Sequence, residues 1–418
     1  MSAPEIRREG DLYRLSWPSE KVEIDVCRLH DGREGLSGEV AVRADLPGLR
    51  SPHLHLARLN LLSTTARKTL VALLETRANG AEIDWPTIIE EMTVLVTQAH
   101  RVGEPVVTLG QGERPARQPW LIDGFLRQGE HSVLFGYKAT LKSLLALAFA
   151  YDIQTGDARL GRDVLAGPVL YLDWETDRET AEERLWLLAA GRGDDRPPAI
   201  LYRRLARPLV EEVEAVRRVH DREGVILTIA DSQGLAIGTS ASGHDPATAV
   251  LSFYAAAREV GGTILGIDHR SHEDAHSKRP SPYGSVYKMN SARSLWLAKT
   301  SQEPGAADVH VGLFHQLANN YGLQRPIGFH VTFTEDAVSI VPEDARDVPL
   351  LREGLSQPEQ CYLALTQPLS TSDLAEATGL KHEAVRMACN RHKQIMTTGY
   401  NGREATWARR SDREEPDA

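Results

Sequence analysis

Between residues 11 and 43, apolar and polar side chains alternate with a period of two, in the runs LYRLSW, VEIDVCRL and GEVAVRA. This alternation is typical of strands with one buried face, and polar joins at 18–21 and 30–32 separate the runs. The pattern therefore predicts a small antiparallel meander near the start of the chain.

Residues 53–77 and 85–101 carry apolar side chains at helical spacing, which predicts helices in both segments. A polar stretch with Gly and Pro follows at 110–119 and predicts a linker. We therefore expect a small N-terminal α+β domain over residues 1–110, for which the sequence indicates no role.

From residue 120 to about 333, short β-branched apolar runs alternate with helical segments. The runs are HSVLFG, GPVLYLDWE, GVILTIADS, GTILGIDH and VHVGLFHQ. Alternation of this kind is typical of βαβ units, in which a parallel sheet is covered by helices on both faces. We therefore expect an α/β core domain over residues 118–340.

Residues 359–410 predict three short helices and a terminal hairpin that turns at Asn401-Gly402, the order of a winged helix-turn-helix. On the third helix a basic and polar face is expected to meet DNA. Its predicted DNA-binding residues are Arg386, Asn390, Arg391 and Lys393. A solvated face or a protein-docking module is the alternative for this unit. The last residues, 411–418, are expected to be a disordered tail.

Composition narrows the class of protein only coarsely. At 418 residues the chain is long enough for two or three domains. Its net charge of -10 excludes a protein whose whole surface is basic, but it is compatible with a local basic patch. The three cysteines form no CxxC pair, so neither a zinc site nor a disulfide framework is indicated. The chain start lacks a signal-peptide core and no apolar run is long enough for a bilayer, so we expect a cytoplasmic protein without membrane contact.

The strand HSVLFG runs into a loop, GYKATLKS, that opens the helix KSLLALAFAY. Backbone N–H groups and the positive end of a helix dipole make such a turn an anion site, where a Lys reaches phosphates and a Ser ligates Mg²⁺. The predicted nucleotide-binding residues of this loop are Gly136, Tyr137, Lys138, Ala139, Thr140, Leu141, Lys142 and Ser143. Leu141 stands where the pattern GxxxxGK[ST] has a second glycine, and an ordinary helix start is the alternative interpretation of Lys-Ser after a Gly.

Acidic residues end the next two strands of the pattern. Asp173 and Glu175 close GPVLYLDWE, and Asp231 closes GVILTIADS. Because the carboxyl ends of parallel strands share one edge of a sheet, these side chains should converge on the phosphate loop. An Asp there can hold the water shell of Mg²⁺ and a Glu can polarise the attacking water, although each alone is equally well a solvated loop carboxylate.

Residues 118–333 resemble the RecA-like ATPases of the hexameric RepA-type helicase group, often described as AAA-family ATPases. The segments that carry the resemblance, over about half of the chain, are PWLIDGFL, GYKATLKS, VLYLDWE, ADS, IDH and GSVYKMNSARSLW. The resemblance implies a RecA-like P-loop core, a ring-shaped homo-oligomer, and ATP with Mg²⁺ as ligands.

The resemblance also implies roles for individual residues. Lys142 and Ser143 would bind phosphate and Mg²⁺, Glu175 would be the catalytic base, Asp231 the Mg²⁺-holding acid, and His269 a sensor at the end of the fourth core strand. Gly284 and Ser285 are expected to shape a loop near the site, and Lys288 and Arg293 to meet phosphate or a neighbouring subunit.

One departure from the family pattern concerns the residue that completes a neighbour's active site. Many relatives place a Lys in the segment that here reads HQLANNYG, where Ala318 precedes Asn319-Asn320. Arg325 or Arg293 are the candidate substitutes.

Three functions fit these features. The first is an ATP-driven motor or loader on DNA, similar to a replicative helicase. The second is a DNA-binding regulator that ATP switches without translocation, and the third is a small-molecule kinase, which Glu175 and the family resemblance disfavour.

Overall fold

The computed structural model describes the chain except residues 1–3, 10–11, 34, 103–105, 107, 109–115, 117, 239–244, 271–279, 283–285, 303–304, 317–323, 345–347, 349–354, 403 and 411–418. The chain divides into two compact units, residues 1–116 and 117–418. Among the described residues, no helix has the length and apolar character needed to cross a membrane.

The first unit is an antiparallel sheet followed by two helices. Its strands are consecutive in the sheet, and the elements are β1 (Glu5–Glu9), β2 (Leu12–Trp17), β3 (Val22–Gly32), β4 (Gly35–Ala44), β5 (His53–Asn60), α1 (Thr64–Arg77) and α2 (Trp85–Val102). Alternate residues of β2 to β4 are buried, as the period-two pattern predicts.

The predicted helix over 53–77 is wrong in its first part. Residues 53–60 pair with β4 as an edge strand, and the helix begins only at Thr64, where the Ser63 side chain accepts a hydrogen bond from the Ala66 N–H. Backbone pairing with β4 overrides the helical spacing of this short segment, because tertiary context outweighs local pattern.

The second unit is built on a nine-stranded sheet. Its strands are β8 (His131–Gly136), β9 (Val169–Asp173), β10 (Leu201–Arg204), β11 (Leu227–Asp231), β12 (Thr263–His269), β13 (Ser294–Ser301), β14 (Asp308–His315), β15 (Ile327–Phe333) and β16 (Val338–Glu343). Their order is β10-β9-β11-β12-β8-β13-β14-β15-β16, and a small ribbon of β6 (Trp120–Ile122) and β7 (Leu126–Arg127) precedes them in the chain. Neighbouring strands are parallel from β10 to β13.

Helices cover both faces of this sheet, as the alternating pattern predicts. They are α3 (Lys142–Thr155), α4 (Arg178–Arg192), α5 (Leu209–Glu223), α6 (Gln233–Ile237), α7 (Pro246–Val260) and α8 (Val286–Ser291). One hydrophobic core joins Phe149 of α3 and Leu188 of α4 to the sheet, and a second joins Val216 of α5 and Phe253 of α7 to the opposite face.

The prediction that VHVGLFHQ is a parallel strand is wrong. This segment is β14, which runs antiparallel to β13, and β15 and β16 continue the antiparallel ladder. Only residues 302–307 separate β13 from β14. A parallel crossover needs about a dozen residues or more, so the connection has to be a hairpin.

The C-terminal part of this unit contains three helices and a three-stranded sheet. The elements are α9 (Gln357–Ala364), β17 (Leu369–Ser370), α10 (Thr371–Thr378), α11 (His382–Arg391), β18 (Ile395–Asn401) and β19 (Glu404–Arg409). Ser370 and Asp373 form a capping box at the start of α10, and Val385 and Cys389 of α11 pack into a small core with Trp407.

The predicted third helix ends four residues earlier than the sequence pattern indicates. α11 stops at Arg391, because His392 adopts an extended conformation (φ -88°, ψ 115°). Lys393 therefore lies after the helix, so its expected place on the helical face of Arg386 and Asn390 is wrong.

Gly191 lies where α4 approaches β16, and the two backbones are so close there that a larger side chain should destabilise the fold. A Cβ at position 191 would lie 2.0 Å from the Val338 carbonyl oxygen, which belongs to the backbone and cannot turn away. We expect Gly191→Ala to lower the free energy of unfolding by about 1–3 kcal/mol, the usual size of overpacking. Chemical denaturation measures this. Gly399→Ala is the control, since a Cβ there meets nothing within 4 Å, and a Gly191→Ala protein as stable as wild type would contradict the close contact.

Candidate nucleotide site

The predicted phosphate loop joins the end of β8 to the start of α3. A Cβ at Gly136 would lie 2.6 Å from the Ala298 carbonyl oxygen, so only glycine fits where the loop leaves the sheet. Ala139 and Leu141 both have positive φ, at 64° and 58°. Leu141 thus adopts the left-handed conformation that the missing glycine would adopt, at a cost of roughly 1–2 kcal/mol. Leu141 is therefore a strained residue within an otherwise formed turn.

Lys142 is the first residue of α3 and its side chain is buried. Its ammonium folds back over the loop and donates hydrogen bonds to the carbonyl oxygens of Tyr137 (2.7 Å) and Gly136 (3.3 Å) and to Thr140 Oγ1 (3.2 Å). Burial lowers the pKa of Lys142, and the carboxylates of Asp231 and Glu175 oppose that shift. A cation held at the centre of a turn of backbone N–H groups is suited to a polyphosphate.

Asp231 ends β11, beside β9 and β12, and is buried. Its Oδ2 accepts a hydrogen bond from the Tyr171 hydroxyl, whereas its Oδ1 is buried without a hydrogen-bond partner among the described residues. Burial raises the pKa of the Asp231 carboxyl, and the hydroxyls of Tyr171 and Ser143 act in the opposite direction. An unsatisfied buried carboxylate oxygen is costly unless a ligand completes it.

The two predicted metal ligands, Ser143 and Asp231, are therefore adjacent, and both present oxygen. Hard cations such as Mg²⁺ prefer oxygen ligands, and the unpartnered Oδ1 offers one. No group of three or more His, Cys, Asp or Glu suited to a metal occurs among the described residues. A Mg²⁺ ion here would take its remaining ligands from phosphate and water, as this cation usually does.

Asp173 and Glu175, close in sequence, have different environments. Asp173 is buried and accepts hydrogen bonds from the N–H groups of Glu175 and Thr176, the Thr176 hydroxyl and the Tyr202 hydroxyl. Its lone pairs are thus used to shape the turn that carries Glu175. Glu175 itself is exposed, so of the two it is the carboxylate that can reach a water molecule.

Glu175 and His269 face each other across the site, with Glu175 Oε2 3.6 Å from His269 Nε2. Hydrogen bonding to His269 lowers the pKa of Glu175, against the effect of partial burial. The two strand-end residues thus lie close together, and the carboxylate is favoured in the ionised form that accepts a proton.

A cavity of about 340 Å³ opens over these groups. The phosphate loop, Glu175, Asp231 and His269 line one side of it. The other side, which the sequence did not predict, is formed by Arg184, Leu187, Phe333, Thr334 and Val338. These residues come from α4 and the β15–β16 hairpin, and no local motif marks them because only the fold brings them near the loop.

Lys288 and Arg293, proposed from the sequence to meet phosphate, are not in the cavity. Lys288 is buried and forms an ion pair with Asp268 at 2.7 Å. Arg293 precedes β13, and its N–H donates to the carbonyl oxygen of His131 at the start of β8, the end of the strand opposite to the loop. Neither can reach phosphate in its own subunit's site.

Arg325 is also engaged elsewhere. Its guanidinium donates to Gln394 Oε1 at 2.6 Å and lies over the Tyr362 ring. The other residues named for this region, Gly284, Ser285, Ala318, Asn319 and Asn320, lie outside the described residues.

The predicted DNA-binding residues Arg386, Asn390, Arg391 and Lys393 are all exposed. Arg409, from the hairpin, is instead bonded within the unit, because its guanidinium donates to the carbonyl oxygens of Tyr362 and Leu363. That arginine holds the small C-terminal core together, and Arg403 is outside the described residues.

Comparison with known proteins adds one family match. A family model described as an AAA domain matches residues 98–275. No curated protein sequence matches the chain. Among solved structures, the chain is similar to a KaiC-like protein from Pyrococcus horikoshii OT3, with a TM-score of 0.38 and 13% identity over 55% of this chain and all of that one. The segment that matches the AAA domain contains the phosphate loop, Glu175, Asp231 and His269, so the part of the chain that forms the candidate site is the part that is similar to this family.

Proposed function

We propose that this protein hydrolyses ATP with Mg²⁺ and uses the cycle to act on DNA, as a motor or loader similar to a replicative helicase. One observation carries the hydrolytic half of the proposal. The buried Lys142 ammonium, the exposed Glu175 carboxylate and Asp231, whose Oδ1 has no partner among the residues that the structure describes, all line a single cavity. These are the three groups that phosphoryl transfer to water requires.

Each group would contribute a separate part of the chemistry. Lys142 would exchange its loop acceptors for phosphate oxygens and neutralise their charge. Ser143 and Asp231 would hold Mg²⁺, which supplies charge neutralisation between the phosphates when bound. Glu175 would accept a proton from the attacking water, and His269, 3.6 Å from it, would orient the carboxylate or donate to the developing charge.

The DNA half of the proposal is supported by the C-terminal unit. Residues 359–410 contain seven Lys and Arg against five Asp and Glu, in a chain whose net charge is -10. The three helices and the hairpin suit a winged helix, with exposed cations on and just after α11. Arg325, two residues before β15, donates a hydrogen bond to Gln394 of this unit, while Phe333 at the end of β15 lines the cavity.

The alternative is an ATP-switched regulator that binds DNA without translocation, and the same basic surface supports it. ATPase assays with and without single-stranded DNA, together with a strand-separation assay, distinguish the two functions. Stimulation and unwinding support the motor. Duplex binding that needs ATP but persists when hydrolysis is blocked supports the regulator. We also propose a ring-shaped homo-oligomer, which native mass measurement with and without ATP and DNA tests.

Replacing Lys142 with Ala should strongly weaken nucleotide binding while leaving the fold intact. Loss of charge-assisted hydrogen bonds costs about 1.5–3 kcal/mol, so affinity should fall by roughly 10-fold or more. Titration with a fluorescent ATP analogue measures this, and Lys68→Ala, which removes an exposed lysine in the first unit, is the control. An affinity within a factor of two of wild type would refute the phosphate-loop assignment.

Glu175→Gln should keep ATP bound but cut turnover by about 10²-fold or more, because a neutral amide cannot accept the proton. Steady-state hydrolysis and nucleotide titration, run on the same preparation, separate the two effects. Glu179→Gln is the matched control, since Glu179 is exposed near the start of α4. Near-normal turnover would show that Glu175 is structural.

Changing Arg386, Arg391 and Lys393 together to Ala should weaken DNA binding and flatten its salt dependence. Three lost phosphate contacts should reduce the log–log salt slope by about 2 to 3, because each releases roughly one counterion. Basal ATPase should stay near normal, since the cavity lies in the core.

The control for this variant is the triple replacement of Arg196, Arg218 and Arg222, three exposed cations of the core. An unchanged affinity and slope in the C-terminal variant would mean that this unit docks a protein. A collapse of ATPase as well would mean that the unit is not separable from the core.

A further inference from the structure

Two tyrosines lie behind the carboxylates of the site. Tyr171 on β9 and Tyr202 on β10 are direct neighbours in the sheet, and their rings are stacked with centroids 6.3 Å apart and planes 14° apart. The Tyr171 hydroxyl donates to Asp231 Oδ2, and the Tyr202 hydroxyl donates to Asp173 Oδ2 at 3.0 Å. Each tyrosine therefore holds an acid on the next strand.

The strand register explains why each tyrosine reaches across. Tyr171 lies opposite Ile229 on β11, so Asp231 is two residues further along the neighbouring strand and on the same face. Tyr202 lies opposite Tyr171, which places Asp173 in the corresponding position. Diagonal neighbours of this kind are about 7–8 Å apart at Cα, within reach of a long aromatic side chain.

The two acids differ in how far they depend on their tyrosine. Asp173 has three further donors from the turn that follows it, so Tyr202 is one partner of several. At Asp231 the Tyr171 hydroxyl occupies Oδ2, and within the described part of the chain Oδ1 has no hydrogen-bond partner. Tyr171 is itself buried, so its hydroxyl is shielded from bulk solvent.

We propose that Tyr171 is a positioning residue for the cation: by holding Oδ2 of Asp231 it fixes the carboxylate so that Oδ1 is the oxygen offered beside Ser143. The inference rests on the proposed Mg²⁺-dependent nucleotide hydrolysis and adds to it a residue that touches neither nucleotide nor metal. Without the phenol, the carboxylate of Asp231 can rotate. The ion then has to order the carboxylate when it binds, which lowers the affinity for the ion.

The test is the Mg²⁺ dependence of nucleotide binding in Tyr171→Phe. We expect the Mg²⁺ concentration for half-maximal binding of a fluorescent ATP analogue to rise by about 10-fold or more, the usual loss for an outer-shell partner of a metal ligand. Binding in EDTA should stay within about two-fold, and turnover at saturating Mg²⁺ within about three-fold.

Tyr202→Phe is the matched control, because it removes the same group from the same stacked pair at the acid that has other donors. Its Mg²⁺ dependence should stay within about two-fold of wild type. Equal shifts in the two variants, or no shift in Tyr171→Phe, would overturn the positioning role.

A second experiment uses a protein that keeps the hydroxyl at position 171, so that its hydrogen bond to Asp231 and the fold are retained. With 3-fluorotyrosine placed at position 171, the ¹⁹F resonance should move when nucleotide and Mg²⁺ are added together and stay unmoved with nucleotide in EDTA. A resonance that does not distinguish these conditions would overturn the proposal. A wild-type protein that binds no nucleotide would instead overturn the proposed function, so the two failures are distinguishable.

Discussion

Burial of charge at the carboxyl edge of the parallel strands is the constraint on which the site depends. Lys142, Asp173 and Asp231 are each removed from water there, and each buried charge needs partners to be tolerated. Among the described residues, Lys142 finds three acceptors in its own loop and Asp173 four donors, whereas Asp231 keeps one oxygen unsatisfied. That oxygen of Asp231 is the one that the proposed Mg²⁺ would complete.

Much of the site could be predicted from the sequence because it depends on a local rule. Strands that are parallel and buried end at one edge, so the acids after β9 and β11 had to approach the loop after β8. The difference between Asp173 and Glu175 could not be predicted in this way. Asp173, and not Glu175, has its carboxylate occupied by hydrogen bonds, because the Thr176 and Tyr202 hydroxyls donate to it. Tyr202 comes from another strand.

The fold could be predicted to a similar extent. The prediction was wrong where the length of a connection or the pairing of a strand decides the structure. The hairpin from β13 to β14 follows from a short connection, and β5 follows from pairing with β4, so neither is visible in hydrophobic spacing. The wall of the cavity formed by β15 and β16 depends on that hairpin extension. The C-terminal unit is contacted by Arg325, which lies two residues before β15, and Phe333 at the far end of β15 lines the cavity.

Leu141 has a consequence for how such loops are detected. The turn into α3 requires a left-handed residue at this position, and a leucine supplies it, although glycine is the residue that adopts this conformation without strain. In this chain the loop therefore has the left-handed conformation without the glycine. A search that insists on the glycine would pass over this chain, whereas a search on backbone angles and on the acids at the strand ends would retain it.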